Sequence, residues 1–239
     1  MRKNLLLYIV IIVVVSLFLF YQFYTPQVHT FGPTTGNTLF ILGSVHGNEP
    51  SGTNACYRLI DYLKDKELDI QVIIMPMPNP LGYYLDSRYQ LKPFHRDINR
   101  NFSDVGKDRI SQIILNYVRK ADFIVDLHEG YEYHSRYPKS MGSSIIPNQS
   151  DVAVSISKSI VKSVNSTIKD KDKQFMVSDF YTKETCYLPD SLACYCNKHK
   201  KNYISIETTG LLHNKQSLEI RVNQHYLLLL EIIYKINNP

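Results

Sequence analysis

Thr38-Leu39-Phe40-Ile41-Leu42-Gly43-Ser44-Val45-His46-Gly47-Asn48-Glu49-Pro50 reads as a strand, a polar turn and the start of a helix. The apolar run from Thr38 to Val45 is short enough for a buried strand, and Pro50 suits the first turn of a helix whose apolar spacing continues to Lys66. The same alternation recurs outward from this stretch. Asp69 to Met75 is a second buried strand, closed by Pro76 and Pro78, and Asp108 to Lys120 places Ile110, Ile113, Ile114, Tyr117 and Val118 on one helical face. Phe123 to Leu127 and Tyr203 to Ile206 are further strands. Ser150 can cap a helix to about Ile168, Pro189 to about Lys200 is a shorter helix, and Gln216 to Ile236 is a final amphipathic one. Near-continuous apolar strands between helices predict an α/β fold, a mostly parallel or mixed sheet covered by helices on both faces. In such sheets the ligand site lies beyond the carboxyl ends of the strands.

Composition narrows the function. Of 239 residues, 44% are hydrophobic and 21% charged, which excludes a disordered chain or a coiled coil. The net charge is +5, of which Arg2 and Lys3 precede the folded part, and the remainder is too small and too scattered for a nucleic-acid partner. Cys56, Cys186, Cys194 and Cys196 form no Cys-x-x-Cys pair, so neither a zinc-finger framework nor a disulfide scaffold holds the chain.

The N-terminus has its own pattern. Leu5 to Tyr21 has Ser16 as its one clearly polar residue, the lower limit for a helix that crosses a bilayer, with Tyr8, Tyr21 and Tyr24 suited to its interfaces. Basic residues precede this run and none follows before Arg58, and the first alanine is Ala55, so no small-residue cleavage site is visible. The expectation is a cytoplasmic stub and transmembrane signal-anchor over 1–24, a linker over 25–36 containing Pro26, Gly32, Pro33 and Gly36, and a catalytic domain over 37–239 on the extracytoplasmic or lumenal side.

Three strand ends carry polar residues. His46 and Glu49 are three apart and can reach one ion, and His128 ends the Val125-Asp126-Leu127-His128 run; two imidazoles and a carboxylate make a three-ligand zinc site with one open position. Glu207 terminates Ile204-Ser205-Ile206, where burial would raise its pKa and suit a general base. Between them lie Arg88, Arg96 and the Asp97-Ile98-Asn99-Arg100-Asn101-Phe102 run, whose guanidiniums can hold a carboxylate or an oxyanion. His95, His134, His199, His213 and His225 have no motif partner and read as surface or structural residues. In an oxidising compartment a disulfide to Cys186 is allowed.

The order His46-x-x-Glu49, Asn79-Pro80, Arg88, Asp97-Ile98-Asn99-Arg100-Asn101-Phe102, Asp126-Leu127-His128, Ile206-Glu207 resembles the zinc carboxypeptidase superfamily from about Thr38 to Gly210. His-Gly-Asn-Glu, Arg88-Tyr89 and Ile-Glu-Thr-Thr-Gly look like its succinylglutamate desuccinylase/aspartoacylase branch. The resemblance implies one zinc held by His46, Glu49 and His128, a carbonyl polarised by Arg88 with Arg96 as a rival, and a substrate carboxylate held by Asn99 and Arg100. It further implies that Glu207 activates the attacking water and that a mobile tyrosine, Tyr187 or Tyr181, meets the substrate. The implied function is hydrolysis of an amide next to a residue with a free carboxylate, as in N-acyl amino acids. Asn-Arg-Asn-Phe and Asn-Pro-Leu-Gly point equally to a metallocarboxypeptidase for peptides or cell-wall peptides, and an inactive binding domain of the same fold is the alternative of another class.

Overall fold

The computed structural model describes residues 7–16, 25–90, 96–180, 188–212 and 214–238. Helix α1 spans 7–16. It is followed by β1 (His29–Phe31), β2 (Thr38–Leu42), α2 (Pro50–Leu63), β3 (Gln71–Met75), α3 (Pro80–Tyr84), α4 (Arg109–Val118), β4 (Phe123–Tyr131) and β5 (Ser144–Pro147). The remaining elements are α5 (Asp151–Ser166), β6 (Met176–Val177), α6 (Leu192–Lys198), β7 (Asn202–Leu211) and α7 (Leu218–Asn237). The strands form one sheet in the order β1-β3-β2-β4-β7-β5-β6. Its centre, β3-β2-β4-β7, is parallel, while β1 and β5 pair antiparallel with β3 and β7.

Pleat alternation assigns the core. Leu39, Ile41, Val125, Leu127, Ile204 and Ile206 pack with α2, α5 and α7 on one face. Phe40, Leu42, Ile124 and Tyr203 pack with α4 and α6 on the other. Each fully buried aliphatic side chain contributes about 1.5–3 kcal/mol, so these two layers are a large source of stability. Helix starts follow local chemistry: Pro50 opens α2, Asp108 and Ser111 form a capping box on α4, and Ser150 caps α5 as its sequence predicts. Cys56 and Cys196 are buried free thiols, and burial pushes both up, which removes them as nucleophiles; Cys194 is disulfide-bonded. Cys186 lies outside the described residues.

Three expectations change. The membrane span is overturned: among the described residues no helix is long and apolar enough to cross a membrane. The rest of the expected span, residues 5, 6 and 17–24, lies outside the described residues, and the extracytoplasmic placement falls with the span. Residues 25–36 are not a bare tether, because His29–Phe31 forms the edge strand β1, with Val28 and Phe31 packed on opposite core layers. Strands β4 and β7 also run past Leu127 and Ile206 to Tyr131 and Leu211, since ladder pairing continues after the apolar pattern stops.

Strand β2 neighbours β3 on one side and β4 on the other, so the chain reverses its direction of sheet-building between β2 and β4, the place where α/β sheets hold ligands. There Gly47 presses against α3. A Cβ on Gly47 would overlap the Gly82 carbonyl, and Asn79 fixes that contact by accepting from the Gly82 N–H (3.1 Å) and donating to the Val45 carbonyl (3.4 Å). Gly47→Ala is therefore expected to cost about 1–3 kcal/mol in urea denaturation, and an unchanged midpoint would show that α3 yields freely.

Candidate active site

Three sequence-predicted ligands meet at this reversal point. His46 and Glu49 sit on the turn after β2, Glu49 as the N-cap residue of α2, and His128 lies within β4; all three are almost fully buried. One ligand atom from each lies within 4.8 Å of the others, and the cluster can hold a metal ion. His46 Nδ1 lies 2.7 Å from Glu49 Oε1 and His128 Nδ1 3.0 Å from Glu49 Oε2. The opposite ring nitrogens face carboxylates: His46 Nε2 lies 2.9 Å from Asp97 Oδ1, and His128 Nε2 lies 3.1 Å from Asp126 Oδ2. Metal-ligating histidines are oriented by such partners behind the ring, so the donor set fits a divalent ion such as zinc.

Charge follows this geometry. Burial disfavours the imidazolium of both histidines, but Glu49 and Asp97 raise His46, and Asp126 and Glu49 raise His128 further. Burial likewise opposes the ionised forms of Glu49 and Asp97, and the facing histidines hold both carboxyls well below the usual range. Glu207 differs. It pairs in register with His128 on the same sheet face, no hydrogen bond to its carboxyl group is found among the described residues, and burial together with the Glu49 charge pushes it up to about 7.

Both arginines of the expected pair line the site. Arg88 donates to Glu49 Oε1 (3.0 Å) and through Nε and Nη2 to Asp97 Oδ2 (3.2 and 3.0 Å). Arg100 donates to the Asn99 carbonyl (2.6 Å) and is half-buried at the rim. Arg96, the rival, is exposed and lines no part of the cavity. Asn99 is turned inward: its amide faces His128 Nε2 (3.3 Å) and accepts from the Leu192 N–H (2.9 Å), so it braces a ligand and the start of α6. Tyr187, Tyr181, His95 and His213 lie outside the described residues. The cavity of about 290 Å³ is completed by Tyr131, Met141, Leu188 and Leu211, an apolar wall with no signal in the sequence because its parts come from separate loops and strand ends. Asp126 did carry a signal: two positions before His128 on a strand puts it on the same face.

Three further histidines face protein groups. His225 is fully buried, depressed to about 3 chiefly by burial and therefore neutral, and lies 3.2 Å from Thr208 Oγ1. His134 faces the Ser140 carbonyl, and His199 faces Asp104 at the surface.

Parallel strands, helices on both faces and a His-Glu-His cluster at the strand ends define a carboxypeptidase-like α/β fold. Residues 35–144 match the family profile of the succinylglutamate desuccinylase/aspartoacylase catalytic domain, which bears out the resemblance carried by the motifs. Among solved structures, the tripeptide-bound cell shape determinant Csd4 of Helicobacter pylori superposes with a TM-score of 0.73 at 19% identity, over 90% of this chain and 56% of its own. A succinylglutamate desuccinylase/aspartoacylase from Rhodobacter sphaeroides gives 0.61 at 18% identity, over 88% of this chain and 58% of its own. Bovine thrombin-activatable fibrinolysis inhibitor, in complex with tick carboxypeptidase inhibitor, gives 0.64 at 13% identity over 88% and 85%. The chain thus spans little more than half the length of the first two. No curated protein sequence is matched.

Asp97 joins His46 to Arg88, so its loss would be felt by a metal held at His46. Asp97→Asn is expected to weaken zinc affinity about 10- to 100-fold with all three ligands intact. Competition against a chromophoric chelator measures this, and wild-type affinity would mean His46 is oriented by something else.

Proposed function

We propose that the protein is a zinc-dependent hydrolase of an amide bond next to a residue with a free carboxylate, with N-acyl amino acids as the substrate class. The observation that carries this reading is the convergence of His46 Nδ1, His128 Nδ1 and the Glu49 carboxylate beside Glu207 and two guanidiniums in one cavity. His46, Glu49 and His128 would hold the zinc, whose chemistry when bound is Lewis acidity toward a carbonyl oxygen and toward water.

The protein's own groups divide the remaining work. Glu207 sits in the cavity with a carboxyl group near neutrality, so it can accept a proton from the attacking water and return it to the departing amine. Arg100 offers N–H donors at the rim for the substrate carboxylate. Arg88 lies deeper, against Glu49, where it can donate to the oxygen that gains charge as the carbonyl is attacked. Asp97 and Asp126 orient the histidine rings, and Asn99, which faces His128 and lines the cavity, is placed to help Arg100 hold the substrate carboxylate. A second reading, a carboxypeptidase acting on peptides, is favoured by one observation: the Helicobacter relative, described as a D,L-carboxypeptidase, has been captured with a tripeptide and with mDAP.

Glu207→Gln should keep zinc and fold but reduce kcat by about 10²- to 10⁴-fold, because glutamine can neither accept nor return the proton. Near wild-type turnover would assign this work elsewhere. Substrate specificity gives an independent check. Amidation of the substrate carboxylate removes a charge-assisted contact worth about 1.5–3 kcal/mol per hydrogen bond, and Arg100→Ala should reproduce that loss. A panel of acetyl- and succinyl-amino acids against short peptides separates the two readings, and equal cleavage of amidated and free substrates would sink both.

A further inference from the structure

We propose that Arg221 of α7 is a positioning residue for the metal centre and acts through the buried carboxylate of Glu129. The inference rests on the zinc reading above and concerns what keeps its ligands in place. Glu129 follows His128 on β4, and strand alternation sends its side chain to the opposite face, into the layer of α2 and α7. That side chain ties three elements together. Its Oε1 accepts from the Ser51 N–H in the first turn of α2 (2.8 Å), and its Oε2 accepts from Arg221 Nη1. Arg221 is itself 7% exposed and is anchored by Nε to the Gln216 carbonyl (3.1 Å). The backbone N–H of Glu129 meanwhile donates to Glu49 Oε2 (3.1 Å).

One carboxylate therefore fixes the residue next to His128 and the helix turn that begins right after Glu49. The chain makes room for it: a Cβ on Gly210 would overlap both Glu129 Oε2 and Arg221 Nη1, which explains the glycine ending Thr208-Thr209-Gly210. Stability is a poor reason for such a pair, because desolvation offsets most of the attraction and an apolar pair of similar volume is often as stable. Breaking one partner, by contrast, strands a buried charge and is destabilising. Placement is the effect that remains: the pair locks the register of β4 against α2 at the level of the ligands.

The experiment uses the full chain with Arg221→Met, Arg221→Lys and the double variant Arg221→Met, Glu129→Met. Zinc dissociation constants come from chelator competition at a temperature where each protein is folded, and Tm of the zinc-free forms is read separately. Arg221→Met is expected to weaken zinc about 10- to 100-fold, the range for groups that orient ligands, and Arg221→Lys to recover part of it. The double variant should regain Tm, since no charge is left unpaired, yet keep the weakened zinc binding. Wild-type zinc affinity in a stable double variant, or in folded Arg221→Met, would overturn the proposal by reducing the pair to a structural contact. Absence of zinc from the wild-type chain would overturn the underlying reading, a result distinct from tight binding shared by wild type and variants. Should Arg221→Met not fold, the double variant decides alone.

Discussion

The Glu49 carboxylate is buried at the point where the sheet changes direction, and each of its oxygens is held from two sides. Oε1 meets His46 Nδ1 and Arg88, and Oε2 meets His128 Nδ1 and the Glu129 N–H. A charge taken so far from water is costly unless every lone pair is satisfied, and this requirement fixes the surroundings. The turn after β2 must bring His46 back over the first turn of α2. Strand β4 must extend beyond its apolar part to deliver His128 and an amide. Gly47 is needed because α3 closes over the same turn.

Electrostatics then divide the carboxylates into two kinds. Glu49, Asp97 and Asp126 face imidazoles or guanidiniums and serve to orient them. Glu207 shares the cavity but has no hydrogen-bonding partner for its carboxyl group among the described residues, and burial leaves it close to neutrality. On the proposed reading the carboxylates would supply a ligand, two braces and a proton carrier, and the number of donors around each would decide which. On the far side of β4, Glu129 and Arg221 extend the ligand scaffold into α7.

Much of this was legible in the sequence. Apolar runs located β2, β3 and the first halves of β4 and β7, and the motif order placed His46, Glu49, His128, Arg88, Arg100 and Glu207 in one cavity. Polar strand ends escaped the apolar criterion, as did β5 and β6, which have only four and two residues. Arg221 could not be read because its partner, Glu129, is 92 positions away and only the fold joins them. Asn99 lines the cavity where the motif order put it, while its contacts with His128 and the Leu192 N–H join segments far apart in sequence and could not be read from it. The N-terminal apolar run was read as a span from its hydropathy, the basic residues before it and the tyrosines at its ends, whereas among the described residues no helix is long and apolar enough to cross a membrane.

Anomalous diffraction at the zinc absorption edge, on crystals of the protein grown with zinc, tests the central claim most directly. The account predicts one strong peak within about 2.0–2.2 Å of His46 Nδ1, His128 Nδ1 and a Glu49 oxygen, with an open position facing Glu207. A peak elsewhere, or none at these three residues with zinc in excess, would contradict it.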